Sequence, residues 1–206
     1  MENTVKLVGF YGSDEIHACS AWTSTNAELT TEKKNRIGPF LKQLASNGHH
    51  TPFEKSMLHF ICTTDIATHI HILKHRIGVS LNSESARYKE LKEDKYYLPV
   101  DWPEDMVKEL EESTKQAFEK YHTTIERLVA SGFTRKRAKE SARFYLPHNH
   151  QYTIDLSFNF RSFMHFQGLR NSDGAQLEVK NLAQEMLSLV RETNQFDLSL
   201  EAFDYK

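Results

Sequence analysis

Lys74-His75-Arg76-Ile77-Gly78-Val79-Ser80-Leu81-Asn82-Ser83-Glu84-Ser85-Ala86-Arg87-Tyr88 puts cations, hydroxyls, an amide and a carboxylate into fifteen consecutive residues. Upstream, Ile66, Ile70 and Leu73 recur at helical spacing, with Ile72 added, so a helix is expected from Asp65 to Arg76, closed by Gly78. Lys74, His75 and Arg76 would then sit in its last turn, where cations complement the carbonyl end of the helix dipole. Ser80, Asn82, Ser83, Ser85 and Arg87 follow as small hydrogen-bonding groups, read as a polar loop able to wrap a phosphate, with arginine offering two donors at once. A solvated basic loop explains the same residues, because neither the Walker nor the Rossmann glycine pattern is present.

The 206 residues, 39% of them hydrophobic, suffice for one sizeable core, and a single domain over 1–206 is expected. A formal net charge of −2 supplies no global basic field, which argues against a nucleic-acid polymer as partner and leaves a nucleotide monomer open. Cys19 and Cys62 are the two cysteines and form no CxxC pair, so neither a disulfide framework nor a cysteine zinc site is expected, in keeping with a reducing cytoplasm. No apolar run reaches signal-peptide or membrane-spanning length, and no membrane association is expected.

Taken in order, Thr4 to Phe10 reads as a strand, followed by a helix capped by Ser13 or Asp14 and carrying Ile16, Ala18, Cys19 and Trp22. Thr23 to Thr31 is polar and reads as a loop. Glu32 to Asn47 reads as one helix with an Ile37, Phe40, Leu41, Leu44 stripe, and Gly48 stands at its C-terminal cap. His49-His50-Thr51-Pro52-Phe53-Glu54 has the composition of a turn. Ser56 to Thr64 alternates as a strand, with Leu58, Phe60 and Cys62 on one face. His71 and His75 share a helical face at a spacing known from metal pairs, but no HExxH or cysteine support accompanies them, and no metal is expected.

A long helix is expected from Pro103-Glu104 to Gly132, then a basic helix capped by Thr134 that ends before Leu146-Pro147, then an extended stretch from Tyr152 to Phe158. Beyond Asn159, Phe163, Phe166 and Leu169 read as a core stripe, while Asn159, His165 and Arg170 could line a ligand edge. Ala175 to Arg191 reads as a final helix, with a short tail able to add an edge strand.

Three separated blocks carry a family resemblance. Lys74 to Tyr88 resembles the Arg-His-Arg, Ser, Asn-Glu, Ser, Arg-Tyr signature of the flavin-dependent thymidylate synthases, the ThyX family. Lys74 stands in the first arginine slot, one extra residue follows Arg76, and Ser83 takes the glutamate position with Glu84 one step later. Gly48, His49, Thr51, Pro52, Phe53 and Glu54 match the family's Gly-His-x-Thr-Pro-Phe-Glu element, and Asn159 to Glu178 resembles its third block, with His165 and Gly174 in place of an asparagine and a histidine.

The resemblance implies an α+β fold, a sheet flanked by helices, assembled as a homotetramer. It implies reductive methylation of dUMP with methylenetetrahydrofolate, FAD and NADPH. In that reading Arg170 and His49 are catalytic, and His71, Lys74, Ser85, Arg87, Arg143 and Arg170 bind dUMP. Thr51, Glu54, Lys74, His75, Arg76, Glu84, Asn159 and His165 bind FAD; Thr23 and Ser24 are further candidates at the flavin. Ser85 is not read as a nucleophile, since no general base for it is identifiable. The substitutions leave three alternatives open: the same scaffold acting on another pyrimidine nucleotide such as dCMP or leaving a hydroxymethyl group, a flavin-free nucleotide-binding protein, and a histidine-rich metal hydrolase.

Overall fold

A computed structural model describes residues 1–26, 28–85, 90–91 and 93–205. In chain order the elements are β1 (Thr4–Tyr11), α1 (Asp14–Trp22), α2 (Thr31–Lys34), α3 (Ile37–Ser46), a 3-10 turn at Thr51–Glu54, β2 (Met57–Asp65), α4 (Ile66–Ile72) and β3 (Val79–Ser83). They continue with α5 (Glu104–Ala130), α6 (Arg135–Ala142), a 3-10 turn at Arg143–Tyr145, β4 (Gln151–Phe158), α7 (Phe160–Arg170), α8 (Leu177–Glu192) and α9 (Asp197–Ala202). The fold is α+β. Its four strands pair in the order β1-β2-β4-β3, and the register between β3 and β4 is antiparallel, since Glu84 N–H donates to Thr153 O at 2.8 Å and Asn159 N–H to Gly78 O at 2.9 Å.

The chain divides into two compact units. The first comprises 1–4, 63–71 and 82–154. Its core forms where α5 turns Phe118, Tyr121 and Ile125 toward Leu91 and toward Ala138 and Ala142 of α6. Their spacing of three and four keeps them on one helical face. Asp65 caps α4 by accepting from Thr68 N at 2.8 Å and Thr68 Oγ1 at 2.8 Å. Arg135 forks across Glu90 at 3.0 and 3.1 Å and reaches Glu126 at 3.0 Å.

The second unit comprises 5–62, 72–81 and 155–206. Leu58, Phe60 and Cys62 of β2, Leu156 and Phe158 of β4, and Phe163 and Phe166 of α7 are all buried, as are Val179, Leu182, Ala183, Met186 and Val190 of α8. Phe53, Phe160 and Phe196 surround the ring of His17, with centroids 5.2 to 5.8 Å away. Ser199 Oγ donates to the Asp14 carboxylate at 2.5 Å and so accepts from His17 Nδ1, 2.9 Å away, which leaves His17 Nε2 to accept from Ser56 Oγ at 2.8 Å. The histidine is therefore the neutral Nδ1–H tautomer.

Burial pushes the His17 imidazole down to about 4 from its ordinary 6.5. Between those values the unfolded chain binds a proton that the folded chain refuses. The associated stability is complete above pH 6.5 and is lost as pH falls toward 4, a loss on the order of 3 kcal/mol. Urea unfolding at pH 7 and pH 4, compared between the native chain and His17→Asn, is expected to show the steeper acid loss in the native chain; equal slopes would remove His17 from the acid transition.

Five expectations of local structure are corrected. The single helix over 32–47 is two, because Pro39 in the first turn of α3 has no N–H to continue a helix from α2. The helix expected to reach Arg76 stops at Ile72 and buries Thr68, His69 and Ile72, while Ile70 and Leu73 are 43% and 47% exposed. Lys74, His75 and Arg76 thus lie beyond it, and His71 and His75 do not share a helical face. The polar loop after Gly78 begins as β3: Val79 and Leu81 alternate with Ser80 and Asn82, and β4 pairs with that strand. The tail is α9 rather than an edge strand, and Leu169, expected in the core, is 49% exposed. Among the described residues no helix is long and apolar enough to cross a membrane.

Candidate active site

In the second unit, Gly78 makes the turn from α4 into β3 in the left-handed region, φ +65°. A Cβ there would run into the amide nitrogen of Asn159 and the hydroxyl of Ser162. Both groups are engaged: Asn159 Oδ1 caps α7 by accepting from Ser162 N at 2.8 Å, and Ser162 Oγ donates to Ile77 O at 2.7 Å. The turn thereby fixes His75 beside the far end of α7. Arg170 Nε donates to His75 Nε2 at 3.0 Å. His75 packs edge-on to Phe166 at 5.0 Å and lies 5.8 Å from the His165 ring.

Burial, then the positive Arg170, then His165, hold the His75 imidazole down at about 4. At neutral pH it is uncharged, and because Nε2 accepts from arginine its proton is on Nδ1. At the end of α7, Arg170 is therefore oriented in part by a neutral acceptor.

A cavity of about 350 Å³ opens nearby, lined by the apolar Ile77, Met164 and Phe203 and by His50, Arg161, Ser162 and His165. Arg161 pairs with Glu54 at 2.5 Å. His49 and Thr51 line a different cavity of about 570 Å³, together with Ser20, Thr23 and Ser24 and the apolar Phe40, Leu44 and Pro52. Trp22 stacks on Phe40 at 4.8 Å beside them. Lys74 and Arg76 are exposed on the segment between α4 and β3.

In the first unit, a cavity of about 290 Å³ is lined by Ser83, Glu84, Ser85, Arg143 and His150 with Ile66, Leu91, Leu146 and Tyr152. The Glu84 carboxylate accepts from Thr153 N at 3.3 Å. Burial lowers the His150 imidazole, against the carbonyl of Pro147, to which Nδ1 donates at 2.8 Å. This cavity offers a cation, a carboxylate and hydroxyls around apolar walls, a donor set suited to a small phosphorylated heterocycle. His71 belongs to this unit but does not line the cavity. Arg87 lies outside the described residues.

The expected residues thus fall into three groups. His75, Asn159, His165 and Arg170 cluster around the Gly78 turn, with Glu54 joined through Arg161. His49 and Thr51 meet Thr23 and Ser24; Glu84 and Ser85 meet Arg143. Sequence reading missed His50, Ser162 and Phe203 at one cavity and His150 and Tyr152 at another. For the first pair the signal was present, since His50 adjoins His49 and Ser162 stands three residues after the Asn159 cap. For Phe203 there was none. Among the described residues no group of three or more His, Cys, Asp or Glu side chains is placed to hold a metal ion.

The sequence matches the family described as Thymidylate synthase complementing protein over residues 6–194. The flavin-dependent thymidylate synthase of Clostridium tetani is 32% identical over 175 residues, covering 80% of this chain and 69% of that protein. That of Kosmotoga olearia is 29% identical over 195 residues, covering 87% and 81%. The crystal structure of the UMP/dUMP methylase PolB from Streptomyces cacaoi bound with 5-Br dUMP is similar over 98% of this chain and 95% of its own, with a TM-score of 0.79 and 26% identity.

Proposed function

Because the chain belongs to the thymidylate synthase complementing protein family, that of the flavin-dependent thymidylate synthases, we propose that it methylates dUMP to dTMP reductively, using FAD, NADPH and methylenetetrahydrofolate. The observation that carries the reading is Arg170 held by a neutral His75 at the end of α7. Uracil C5 is a weak nucleophile, and it attacks a one-carbon unit readily only from an enolate-like form of the pyrimidine, in which negative charge has built up on a ring oxygen or nitrogen. A preoriented guanidinium stabilises that charge where it forms, which is the largest kind of catalytic contribution a fixed side chain makes. Keeping His75 neutral avoids a second cation that would compete for the same charge.

The residues present fit a flavin in their chemistry. The Ile77, Met164 and Phe203 walls suit a flat ring, and His50, Ser162 and His165 bring polar groups to its edges. The hydroxyls of Ser20, Thr23, Ser24 and Thr51 suit the remainder of a dinucleotide, with His49 beside them near the reactive face. When bound, the flavin would supply the reducing equivalents and carry the one-carbon unit. Glu54, Lys74, Arg76, Asn159 and Glu84 complete the flavin-side assignment, and Lys74 and His71 also that of dUMP.

Arg143 and Ser85, with Arg87, would grip the phosphate of dUMP, and positioning of this kind supplies a large share of a barrier reduction. Arg143→Ala is expected to weaken dUMP binding about tenfold to a hundredfold, the range for a lost charge-assisted hydrogen bond. Titration calorimetry measures it, and unchanged affinity would take Arg143 out of the phosphate site. A homotetramer, with each site built from several copies, completes the proposal and is read by light scattering.

A second reading is favoured by the same structural neighbour, whose complexes with 5-Br dUMP and 5-Br UMP belong to a UMP/dUMP methylase. Lys74, His71, His165 and Gly174 also point to an altered pyrimidine nucleotide or one-carbon outcome. Anaerobic incubation of the FAD-loaded protein with NADPH, methylenetetrahydrofolate and either dUMP, UMP or dCMP, read by mass spectrometry, separates these. Formation of dTMP supports the first reading. A methylated or hydroxymethylated product from UMP or dCMP alone supports the second, and no new nucleotide from any of the three would overturn both.

A further inference from the structure

The cavity of about 350 Å³ in the second unit owes one wall to a residue beyond the family match, which ends at 194. Phe203 follows α9, and its ring stands 4.9 Å from Phe53, edge to face, and 5.3 Å from His50. Helix α9 is tightly held. Asp14 accepts from Leu198 N at 2.9 Å and Ser199 N at 2.7 Å, capping its first turn from the other end of the chain. Ser199 also joins His17, and Leu200 is buried. Phe203 N–H donates to Leu200 O at 3.1 Å, which holds its backbone against the end of the helix. A six-residue helix anchored this firmly does more than finish the core: it brings an aromatic ring to the cavity that Ile77, Met164, His165 and Arg161 also line.

We propose that Phe203, delivered by α9, is a specificity-determining wall that seats a planar fused heteroaromatic ring, a flavin or a pterin, in this cavity. The inference rests on the reading above that the chain takes such ligands, and it adds a residue that the three resembling blocks do not include. The cavity volume suits one fused ring system and the apolar walls suit its faces, while the imidazoles offer donors and acceptors to its heteroatoms.

The test uses the whole chain stripped of flavin, native and with Phe203→Ala or Phe203→Leu, titrated with FAD by quenching of flavin fluorescence. Tetrahydrofolate is then titrated into the FAD-loaded forms by quenching of protein fluorescence. Melting temperature and dUMP affinity report folding, and Phe203→Leu keeps the volume if the alanine variant does not fold. Tenfold or greater weakening for FAD identifies a flavin ring; the same weakening for tetrahydrofolate alone identifies a pterin, and in each case dUMP affinity stays within twofold. Binding of both ligands within twofold of the native chain by the leucine variant, and by the alanine variant if folded, overturns the role of Phe203 while leaving the proposed function standing. Failure of the native chain to bind either ligand overturns both, and is seen before any variant is made.

Discussion

Arg170→Ala is expected to lower dTMP formation by about a hundredfold to a thousandfold or more, the scale seen when a preorganised charge-stabilising donor is removed. The side chain is half-buried at the C-terminal end of α7, where it fills no core volume, so the variant should fold and melt near the native temperature. The loss belongs to turnover. Arg170 reaches His75 through Nε, and that acceptor helps to set the plane of the guanidinium before any ligand arrives. Arg170→Lys keeps the charge but not the fork, and is expected to recover only part of the rate.

A second readout separates this role from a structural one. The positive charge of Arg170 is one of the causes that hold His75 down at about 4, ranking after burial. Without it, the His75 titration followed by NMR should move upward yet stay below the ordinary value, because the burial remains. Full activity in Arg170→Ala would sink the catalytic assignment, and an unmoved His75 titration would sink the coupling between the two.

Gly78→Val carries the largest expected cost to stability. The backbone at φ +65° disfavours any side chain by about 1–2 kcal/mol, more for a β-branched one. The added carbon would also strike the Asn159 amide and the Ser162 hydroxyl, with Asn159 Cγ at 2.9 Å. Those side chains cannot yield freely. Moving Asn159 removes the cap of α7, worth about 1 kcal/mol, and moving Ser162 leaves the Ile77 carbonyl without its donor. Together these amount to about 3 kcal/mol, which for a chain of this size lowers the melting temperature by about 10 °C. Gly78→Ala should lie between. A melt within 2 °C or so of native for the valine variant would show that the turn relaxes, against the clash argued here.

Much of the fold could be read directly. The alternation in β2, the buried Phe118, Tyr121 and Ile125 of α5, and the caps at Ser13 and Thr134 are local signals that tertiary structure reinforces. The stretch from 72 to 83 was misread because its conformation is decided from outside. His75 is drawn out of the helix by Arg170 and Phe166, almost a hundred residues away, and β3 exists by pairing with β4. The Val79, Ser80, Leu81, Asn82 alternation was visible, but five residues of it weigh little beside a run of cations. Site residues were legible as residue types through the family resemblance. Their sorting into three groups was not, since nothing local in Thr23 or Ser24 points to His49 and Thr51.

The Asp14 cap on α9 has a consequence for the timing of folding. Its donor at Ser199 lies 185 residues downstream. The second unit is assembled from both ends of the sequence, with 82–154 belonging to the other. During synthesis His17, Ser56 and Phe53 emerge early, but Ser199 and Phe196, which complete their surroundings, appear only after about 140 further residues, on the order of ten seconds at ordinary translation rates. The nascent chain therefore holds an unfinished aromatic core while these residues are made, and this unit closes only once α9 has followed.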